Sequence, residues 1–166
     1  IVMISISAIG QDSHRFMSKE ATEAKGKVLM LGGLKIPEYP ALEGNSDADV
    51  VLHALTNAIS GLTGVRILGA IADEMVKRGI TDSSAYIERA LEELRGIHLT
   101  HLSFSIEAKR PRLACFIDPM REHIAKLTGL SIDHVAITAT SGEELTAFGR
   151  GEAIQCFCIA SAVLEG

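Results

Sequence analysis

Apolar residues in this chain alternate between the two-residue period of β-strands and the longer period, near 3.6 residues, of α-helices. The short period covers residues 4–8, 102–106 and 135–139. The long period predicts helices within residues 46–59, 67–78, 83–94 and 118–129. Residues 27–36, broken by Gly32-Gly33, are a further predicted strand. Residues 153–164 are a nearly continuous apolar run, which predicts a strand covered on both faces, with a buried helix as the alternative. The pattern predicts an α/β fold, with a mixed sheet packed against helices.

Several element ends carry their own signals. The first strand is expected to end at Gly10, and residues 37–44 are expected to form a loop. Ser46 or Asp47 is the predicted N-cap of the helix that follows, and Asp82 or Ser83 that of a later one.

Composition indicates one domain spanning residues 1–166, because 166 residues with 47% hydrophobic content can bury a substantial core. The net charge of −5 and the lack of Trp argue against a nucleic-acid surface, which needs basic and stacking groups. The apolar runs are too short for a bilayer span, and the first residues lack a basic signal-peptide region, so a cytoplasmic location is expected. Buried free thiols are predicted for all three cysteines, Cys115, Cys156 and Cys158.

A metal centre is the leading hypothesis for chemistry. Asp12 and His14 are two residues apart, so on an extended chain they point to the same side, and a helix would present His53 to them. One carboxylate and two imidazoles suit zinc, and three protein ligands leave a fourth position for water or substrate. Ordinary solvated or hydrogen-bonded side chains are predicted for the other histidines, His98, His101, His123 and His134.

Residues 138–152 form a loop rich in hydroxyls and glycines, with several carboxylates and one guanidinium. Its hydroxyl and N–H groups suit phosphate oxygens, and Glu143 suits a Mg²⁺ ion that bridges phosphates, but a solvated hairpin loop has the same composition. The basic run 109–112 is compatible with phosphate neutralisation or with a charged surface turn.

The order and intervals of these motifs resemble those of the 2-C-methyl-D-erythritol 2,4-cyclodiphosphate synthase family over nearly the whole chain. The matching motifs are Gly10-x-Asp12-x-His14, Gly32-Gly33, the run from Asn45 to His53, Thr138-Ala-Thr140 and Gly149-Arg-Gly-Glu152. The resemblance implies a cytoplasmic enzyme of the non-mevalonate isoprenoid pathway, a homotrimer of α/β subunits with active sites between neighbours. Its substrate is 4-diphosphocytidyl-2-C-methyl-D-erythritol 2-phosphate, whose 2-phosphate attacks its own β-phosphorus, closing a cyclic diphosphate and expelling CMP.

The resemblance also implies site residues. Asp12, His14 and His53 match the ligands of one zinc ion per subunit, and Glu143 matches the ligand of a second ion, Mg²⁺ or Mn²⁺. Asn45 and Ser46 match the loop over the erythritol phosphate. Contacts to the substrate phosphates are implied for Thr140, Ser141 and Gly142. The cytidine and CMP pocket corresponds to Ala108, Lys109, Arg110, Pro111, Arg112, Leu113 and Ala114. Arg150 and Glu152 match positions near the trimer axis, where the family can enclose an isoprenoid diphosphate.

The chain departs from the common family pattern at several places. Asn45 stands where His is usual, Asn57 and Ile67 where Asp is usual, and Ala72-Asp73-Glu74 where Phe-Pro-Asp is usual. Ala147-Phe148 also shifts an aromatic by one position. Asp73 or Glu74 is a candidate partner for an erythritol hydroxyl, and two solvated helix residues are the alternative. None of these positions is one of the three zinc ligands, so activity is expected to survive.

Two other classes of function fit the same residues. One is a non-catalytic trimer that binds metal together with CMP or an isoprenoid diphosphate as a sensor. The other is a metal-dependent phosphoester hydrolase, although the chain offers no evident general base beside the metal motif.

Overall fold

The computed structural model describes residues 1–166. Its elements, in chain order, are β1 (Met3–Arg15), α1 (Lys19–Lys25), β2 (Leu29–Leu31), β3 (Leu34–Ile36), α2 (Val50–Thr63), α3 (Ala70–Lys77), α4 (Ser83–Leu91), β4 (Ile97–Glu107), α5 (Ile117–Thr128), β5 (Val135–Thr140) and β6 (Ala153–Glu165). The order within the main sheet is β1-β6-β4-β5, in which only β4 and β5 are parallel, so the predicted mixed sheet with helices is confirmed.

Only one face of the main sheet is covered by helices. Helix α2 packs on β1 and β6, and α5 packs on β5. On this face the side chains of β4 and β6 are buried, including Phe104 and Cys156. The prediction that β6 is covered on both faces is wrong for the single chain, because Phe157 and Ile159 remain 39% and 46% exposed on the other face.

Strand β1 is longer than predicted. It continues past Gly10 to Arg15, because β6 pairs with it along its whole length, from Met3 with Glu165 to Arg15 with Ala153. The prediction that Asp12 and His14 follow the end of the strand is therefore wrong. Both lie inside it, and the regular pairing fixes their directions.

The predicted strand at residues 27–36 is instead a hairpin of β2 and β3. Gly32 and Gly33, both with positive φ (58° and 81°), form its two-residue turn, which requires the left-handed conformation at both positions. The 37–44 loop is confirmed, with a single bridge from Phe16 to Leu42. Helix α1, capped by the Ser18 hydroxyl, was not predicted.

The helix ends are partly as predicted. Asp82 caps α4, as expected, whereas the cap of α2 is Asp49 rather than Ser46 or Asp47. Helix α3 begins at Ala70, later than residue 67, and α4 ends at Leu91, before residue 94. Helix α5 ends at Thr128, and Gly129 after it adopts the left-handed conformation as a C-cap.

Gly10 lets α2 lie directly on β1. A Cβ atom at Gly10 would lie 2.1 Å from the carbonyl oxygen of Ala54 and 2.3 Å from the amide nitrogen of Ala58. No other residue allows this contact of strand and helix backbones. Asp12 lies two residues after Gly10 on β1, and His53 lies next to Ala54 on α2. The close approach of the two backbones therefore brings His53 towards Asp12.

Two predictions about single side chains need correction. Cys156 and Cys158 are buried free thiols, as expected, and burial raises the pKa of both, but Cys115 is exposed in the segment that precedes α5. His123 is neither solvated nor hydrogen-bonded at Nε2, because this atom is buried against Gly33 without a partner. No helix is long and apolar enough to cross a lipid bilayer.

Candidate active site

Asp12, His14 and His53 converge on one point between β1 and α2. Asp12 Oδ2 lies 2.8 Å from His14 Nε2 and 3.0 Å from His53 Nδ1, and the two imidazole nitrogens are 3.2 Å apart. The alternation of β1 turns the first two side chains towards α2, and the close contact at Gly10 presents the third. The structure thus brings together the three residues predicted to be metal ligands.

This donor set fits a divalent metal such as zinc. The three ligand atoms all lie within 4.8 Å of one another and converge from a rigid strand and a rigid helix. With metal–ligand bonds of about 2.0–2.1 Å, the ligands of a tetrahedral site are roughly 3.3 Å apart. The observed spacings are within a few tenths of an ångström of that value, so small shifts of the side chains suffice to accommodate an ion.

The same contacts shift the ionisation of the ligands. Burial alone would raise the pKa of Asp12, but hydrogen bonds from His14 and His53, with their charges, lower it from 3.8 to about 2. Burial alone would lower the pKa of His14, but its hydrogen bond to Asp12 and the carboxylate charge raise it above 6.5. Asp12 is therefore ionised at neutral pH and able to bind a cation.

Asp49 holds the helix that carries His53. Its carboxylate accepts hydrogen bonds from the N–H groups of Gly32 (2.9 Å), Gly33 (2.7 Å) and Leu52 (3.0 Å) and is fully buried. It thereby joins the start of α2 to the turn of the β2–β3 hairpin. Burial raises the pKa of this carboxyl despite its three donors.

The three ligands open into a cavity of about 300 Å³. Asn45 and Ser46 line it, as the resemblance implies. Lining residues that motif reasoning did not single out are Leu68, Gly69, Val76 and Tyr86. No sequence signal distinguishes them, since they lie on three separate segments and only the packing of α2, α3 and α4 brings them to one wall.

The departures from the family pattern have different structural positions. Asp73 lines the cavity, whereas Glu74 lies outside it and pairs with Arg78 at 3.3 Å. The Asn57 amide donates to the carbonyl of Gln11 (3.0 Å), a bond that a carboxylate could not make. Ile67 is completely buried in the core and has no access to a substrate. Of these four residues, Asp73 is the one with a carboxylate available to a ligand.

The remaining predicted site residues form a second group, which we call the loop half-site: residues 108–114 and 138–152. The Ala108 N–H donates to the carbonyl of Thr140 (3.0 Å), and the Lys109 N–H donates to that of Phe148 (3.2 Å). The Lys109 ammonium also donates to Glu144 (2.7 Å). The segment implied to bind cytidine and the loop implied to bind phosphate are therefore adjacent within one chain.

The loop half-site contains a tight left-handed turn. Gly142, Glu143 and Glu144 have φ of 73°, 45° and 63°, a conformation that costs free energy at the two non-glycine residues. The Ser141 hydroxyl accepts a bond from the Glu143 N–H (3.4 Å), and Thr146 anchors the turn to Glu107 (2.8 Å). The Glu143 carboxylate makes no bond to another side chain, so it is free to bind a cation.

The structure does not bring the two groups together within one chain. We call Asp12, His14, His53, Asn45 and Ser46 the metal half-site. In the sheet register Ser13 pairs with Gln155, Gln155 with Glu107, and Glu107 with Thr140, so three strand spacings, roughly 14 Å, separate β1 from β5 at this level. No residue of the loop half-site lines the metal cavity.

Comparisons with known proteins agree with these observations. The model of the YgbB family matches residues 6–163. The 2-C-methyl-D-erythritol 2,4-cyclodiphosphate synthase of Chlamydia muridarum is 47% identical over 153 residues, which cover 91% of this chain and 84% of that protein.

Solved structures show the same fold. The bifunctional IspDF from Campylobacter jejuni superposes with a TM-score of 0.86 at 26% identity, covering 99% of this chain and 43% of that larger one. A 2C-methyl-D-erythritol-2,4-cyclodiphosphate synthase in its CDP-bound form superposes with a TM-score of 0.78 at 27% identity, covering 93% of this chain and 98% of the other. With its motif order, fold and carboxylate–histidine cluster all in agreement, the chain belongs to the YgbB family.

Proposed function

We propose that this chain converts 4-diphosphocytidyl-2-C-methyl-D-erythritol 2-phosphate to 2-C-methyl-D-erythritol 2,4-cyclodiphosphate and CMP, a phosphorus–oxygen lyase reaction of non-mevalonate isoprenoid biosynthesis. The observation that carries the proposal is the convergence of Asp12, His14 and His53 at a cavity, in a chain 47% identical to a named synthase. The identity to a named synthase over most of both chains favours this reaction over hydrolysis.

The reaction needs no nucleophile from the protein. The 2-phosphate of the substrate attacks the β-phosphorus, a new P–O bond closes the ring, and the bond from that phosphorus to the CMP oxygen breaks. Holding the two ends of one molecule together replaces a bimolecular encounter with a ring closure. The task of the protein is thus to position the substrate and to neutralise phosphate charge.

The metal half-site holds the reacting end in this proposal. Asp12, His14 and His53 bind a divalent ion, proposed to be zinc, which supplies Lewis acidity to a phosphate oxygen when bound. The Asn45 amide and the Ser46 hydroxyl donate to the erythritol phosphate. Asp73 accepts a hydrogen bond from a hydroxyl of the erythritol, which its position on the cavity wall supports.

The loop half-site holds the nucleotide in this proposal. Residues 108–114 bind cytidine and CMP, with backbone groups as the main donors and acceptors. Thr140, Ser141 and Gly142 donate to phosphate oxygens, and Glu143 binds the Mg²⁺ or Mn²⁺ that accompanies the substrate. The free carboxylate of Glu143 on its strained turn supports this role.

A homotrimer would bring the two half-sites together, each active site taking one half from each of two neighbours. Their separation within one chain supports this arrangement, as does the exposure of Ile9, Phe157 and Ile159 on the uncovered face of the sheet. In the trimer Arg150 and Glu152, which pair at 2.9 Å, lie near the axis, where an isoprenoid diphosphate is the proposed ligand. We propose residues 1–166 as the single catalytic domain and the cytoplasm as its location.

The direct test is incubation of the purified chain with the diphosphocytidyl substrate and Mg²⁺, with and without a chelator, followed by mass spectrometry. We expect the cyclic diphosphate and CMP in equal amounts, and neither after chelation. Linear phosphates would indicate a hydrolase. Unchanged substrate, from a chain that still binds added CMP, would indicate a sensor. Either result would overturn the proposal.

Replacement of a single ligand tests the metal assignment. His53→Ala removes one of three ligands, so we expect loss of stoichiometric metal and at least about a 100-fold fall in kcat/KM, with unchanged far-UV circular dichroism. His134→Ala, an exposed histidine outside the site, is the matched control. Full activity in the His53 variant would rule out this residue as a metal ligand.

A further inference from the structure

The imidazole of His53 has a second nitrogen, Nε2, which faces away from Asp12 and His14. It lies 2.8 Å from the hydroxyl oxygen of Ser83 and 3.4 Å from that of Ser46. Ser83 is completely buried at the start of α4. His53 therefore connects the metal half-site to a polar group in the interior.

Ser83 is in turn held by Asp47. The Asp47 carboxylate accepts a bond from the Ser83 hydroxyl at Oδ1 and from the Ser83 N–H at Oδ2 (2.9 Å). The same carboxylate accepts a bond from the Asp49 N–H (3.1 Å), and the Asp47 N–H donates to the carbonyl of Thr81 (2.9 Å). These bonds fix the position of Asp47 between the segment that precedes α2 and the segment that precedes α4.

The chemistry of the groups sets the direction of each hydrogen bond. An ionised carboxylate only accepts, so the hydroxyl proton of Ser83 points to Asp47. The Ser83 oxygen is then left as an acceptor for His53, which must carry its proton on Nε2. Without metal, Nδ1 donates to the Asp12 carboxylate, and a bound metal would take the place of that Nδ1 proton, so the proton on Nε2 is the one that remains.

We propose that Ser83 and Asp47 are positioning residues that keep a proton on Nε2 of His53, which leaves Nδ1 as the nitrogen aimed at the metal. The inference rests on the proposed metal-dependent function. It gives both residues a role other than helix capping, since Asp49 and Asp82 are the caps of α2 and α4. Through this chain of bonds, the start of α4 sets the orientation of a ligand on α2.

The first test measures metal affinity rather than turnover. We would titrate the purified full-length chain and its Ser83→Ala variant with Zn²⁺ alone, in competition with a chromophoric chelator. We expect the variant to bind about 10–100-fold more weakly, the range found when outer-shell partners of metal ligands are removed. Ser84→Ala, the next residue on the same helix, is the matched control and should bind within 2-fold of the unchanged chain, roughly the error of such a comparison.

The second test separates control of the Nε2 proton from a structural role. In Asp47→Asn the amide can donate to the Ser83 oxygen, which frees the Ser83 proton to face Nε2 of His53. We expect ¹⁵N NMR of the metal-free variant to show that Nε2 of His53 no longer carries a proton, as it does in the unchanged chain, together with weaker Zn²⁺ binding. A loss of packing alone would not remove the proton from Nε2.

The Zn²⁺ titration and the NMR measurement can fail even if the proposed reaction is observed, and can succeed even if it is not. Zn²⁺ affinity in a folded Ser83→Ala chain within 2-fold of the unchanged protein would overturn the positioning role, even if the synthase reaction is observed. If Ser83→Ala does not fold, the protonation of His53 Nε2 in Asp47→Asn decides, and an unchanged Nε2–H form would contradict the proposal. Weak binding together with the loss of the Nε2 proton would support it, whether or not the substrate cyclises.

Discussion

At residue scale, Asp12 and His14 shift each other's ionisation in opposite directions. The pKa of Asp12 falls from 3.8 to about 2, and the pKa of His14 rises above 6.5. The pair therefore contributes its full stabilisation to the metal-free fold only between about pH 3.8 and pH 6.5, the ordinary pKa values of the two groups. The contribution of Asp12 is lost as the pH falls from 3.8 towards 2, and that of His14 is lost as the pH rises through its raised pKa.

We therefore predict that the free energy of unfolding of the chelated protein declines above pH 6.5, as His14 loses its proton, and again below about pH 4, as Asp12 gains one. Asp12→Asn removes the carboxyl group that titrates at low pH and also the charge that raises the pKa of His14, so its stability should depend less on pH in both windows. Urea unfolding at a series of pH values measures this difference. Parallel curves for the two proteins would show that the pair is not coupled.

Metal binding should show the opposite pH dependence as the pH rises above 6.5. A metal ligand must be deprotonated, so Zn²⁺ displaces the proton that Asp12 stabilises on His14. We predict that Zn²⁺ affinity rises as the pH rises through the raised pKa of His14 and that binding releases a proton, measurable by titration calorimetry in buffers of different ionisation enthalpy. Equal heats in all buffers would contradict this prediction.

At the scale of elements, the contact between α2 and the β2–β3 hairpin depends on Asp49. Asp49 and Asp82 are both N-caps, but Asp49 is buried and also binds the N–H groups of Gly32 and Gly33, whereas Asp82 is exposed and bonds only near its own helix. Asn caps a helix about as well as Asp. The two sites therefore offer a comparison of capping alone with capping plus a tertiary connection.

We predict that Asp49→Asn lowers the free energy of unfolding by about 1–3 kcal/mol, because the amide NH₂ would face a backbone N–H and leave a buried donor without an acceptor. Asp82→Asn should change it by less than about 0.5 kcal/mol. Chemical denaturation of both variants gives the two values. Similar values for both would mean that the connection to the hairpin adds no stability.

At the scale of the whole molecule, the sheet presents two half-sites at one end and an uncovered face on one side. Ile9 on β1 pairs with Ile159 on β6, so these side chains lie side by side on this face, 63% and 46% exposed. Burial of such apolar area drives association. A trimer formed through this face would cover these residues and supply each metal half-site with the loop half-site of a neighbour.

We predict a trimer in light scattering and its dissociation by Ile159→Asp, since a carboxylate cannot be buried there without a partner. The synthase activity should be lost with the trimer, although Ile159 is not a site residue. Ile80→Asp is the matched control. Ile80 is 38% exposed between α3 and α4, and its replacement should change neither the trimer nor the activity. A fully active monomer would contradict the proposal of shared sites.

Local periodicity was sufficient to predict the type of every strand and helix except α1, and the two-residue spacing of Asp12 and His14 was sufficient to predict that they point the same way. These features depend on neighbours along the chain. Asp82, one of two residues predicted to cap α4, and the end of α5 near Gly129 were predicted for the same reason. The hypothesis that His53 is the third ligand was also made from the residues, since a predicted helix would present it, and the resemblance to a family supported it.

Contacts between distant segments decided the rest. Strand β1 extends to Arg15 because β6, almost 140 residues later, pairs with it, and Asp49 rather than Ser46 or Asp47 caps α2 because the hairpin turn adds two donors. The hydrogen bond from His53 to Ser83 joins side chains 30 positions apart that share no motif. Such contacts arise from packing in three dimensions, where the burial of polar groups must be balanced by partners that no local pattern specifies.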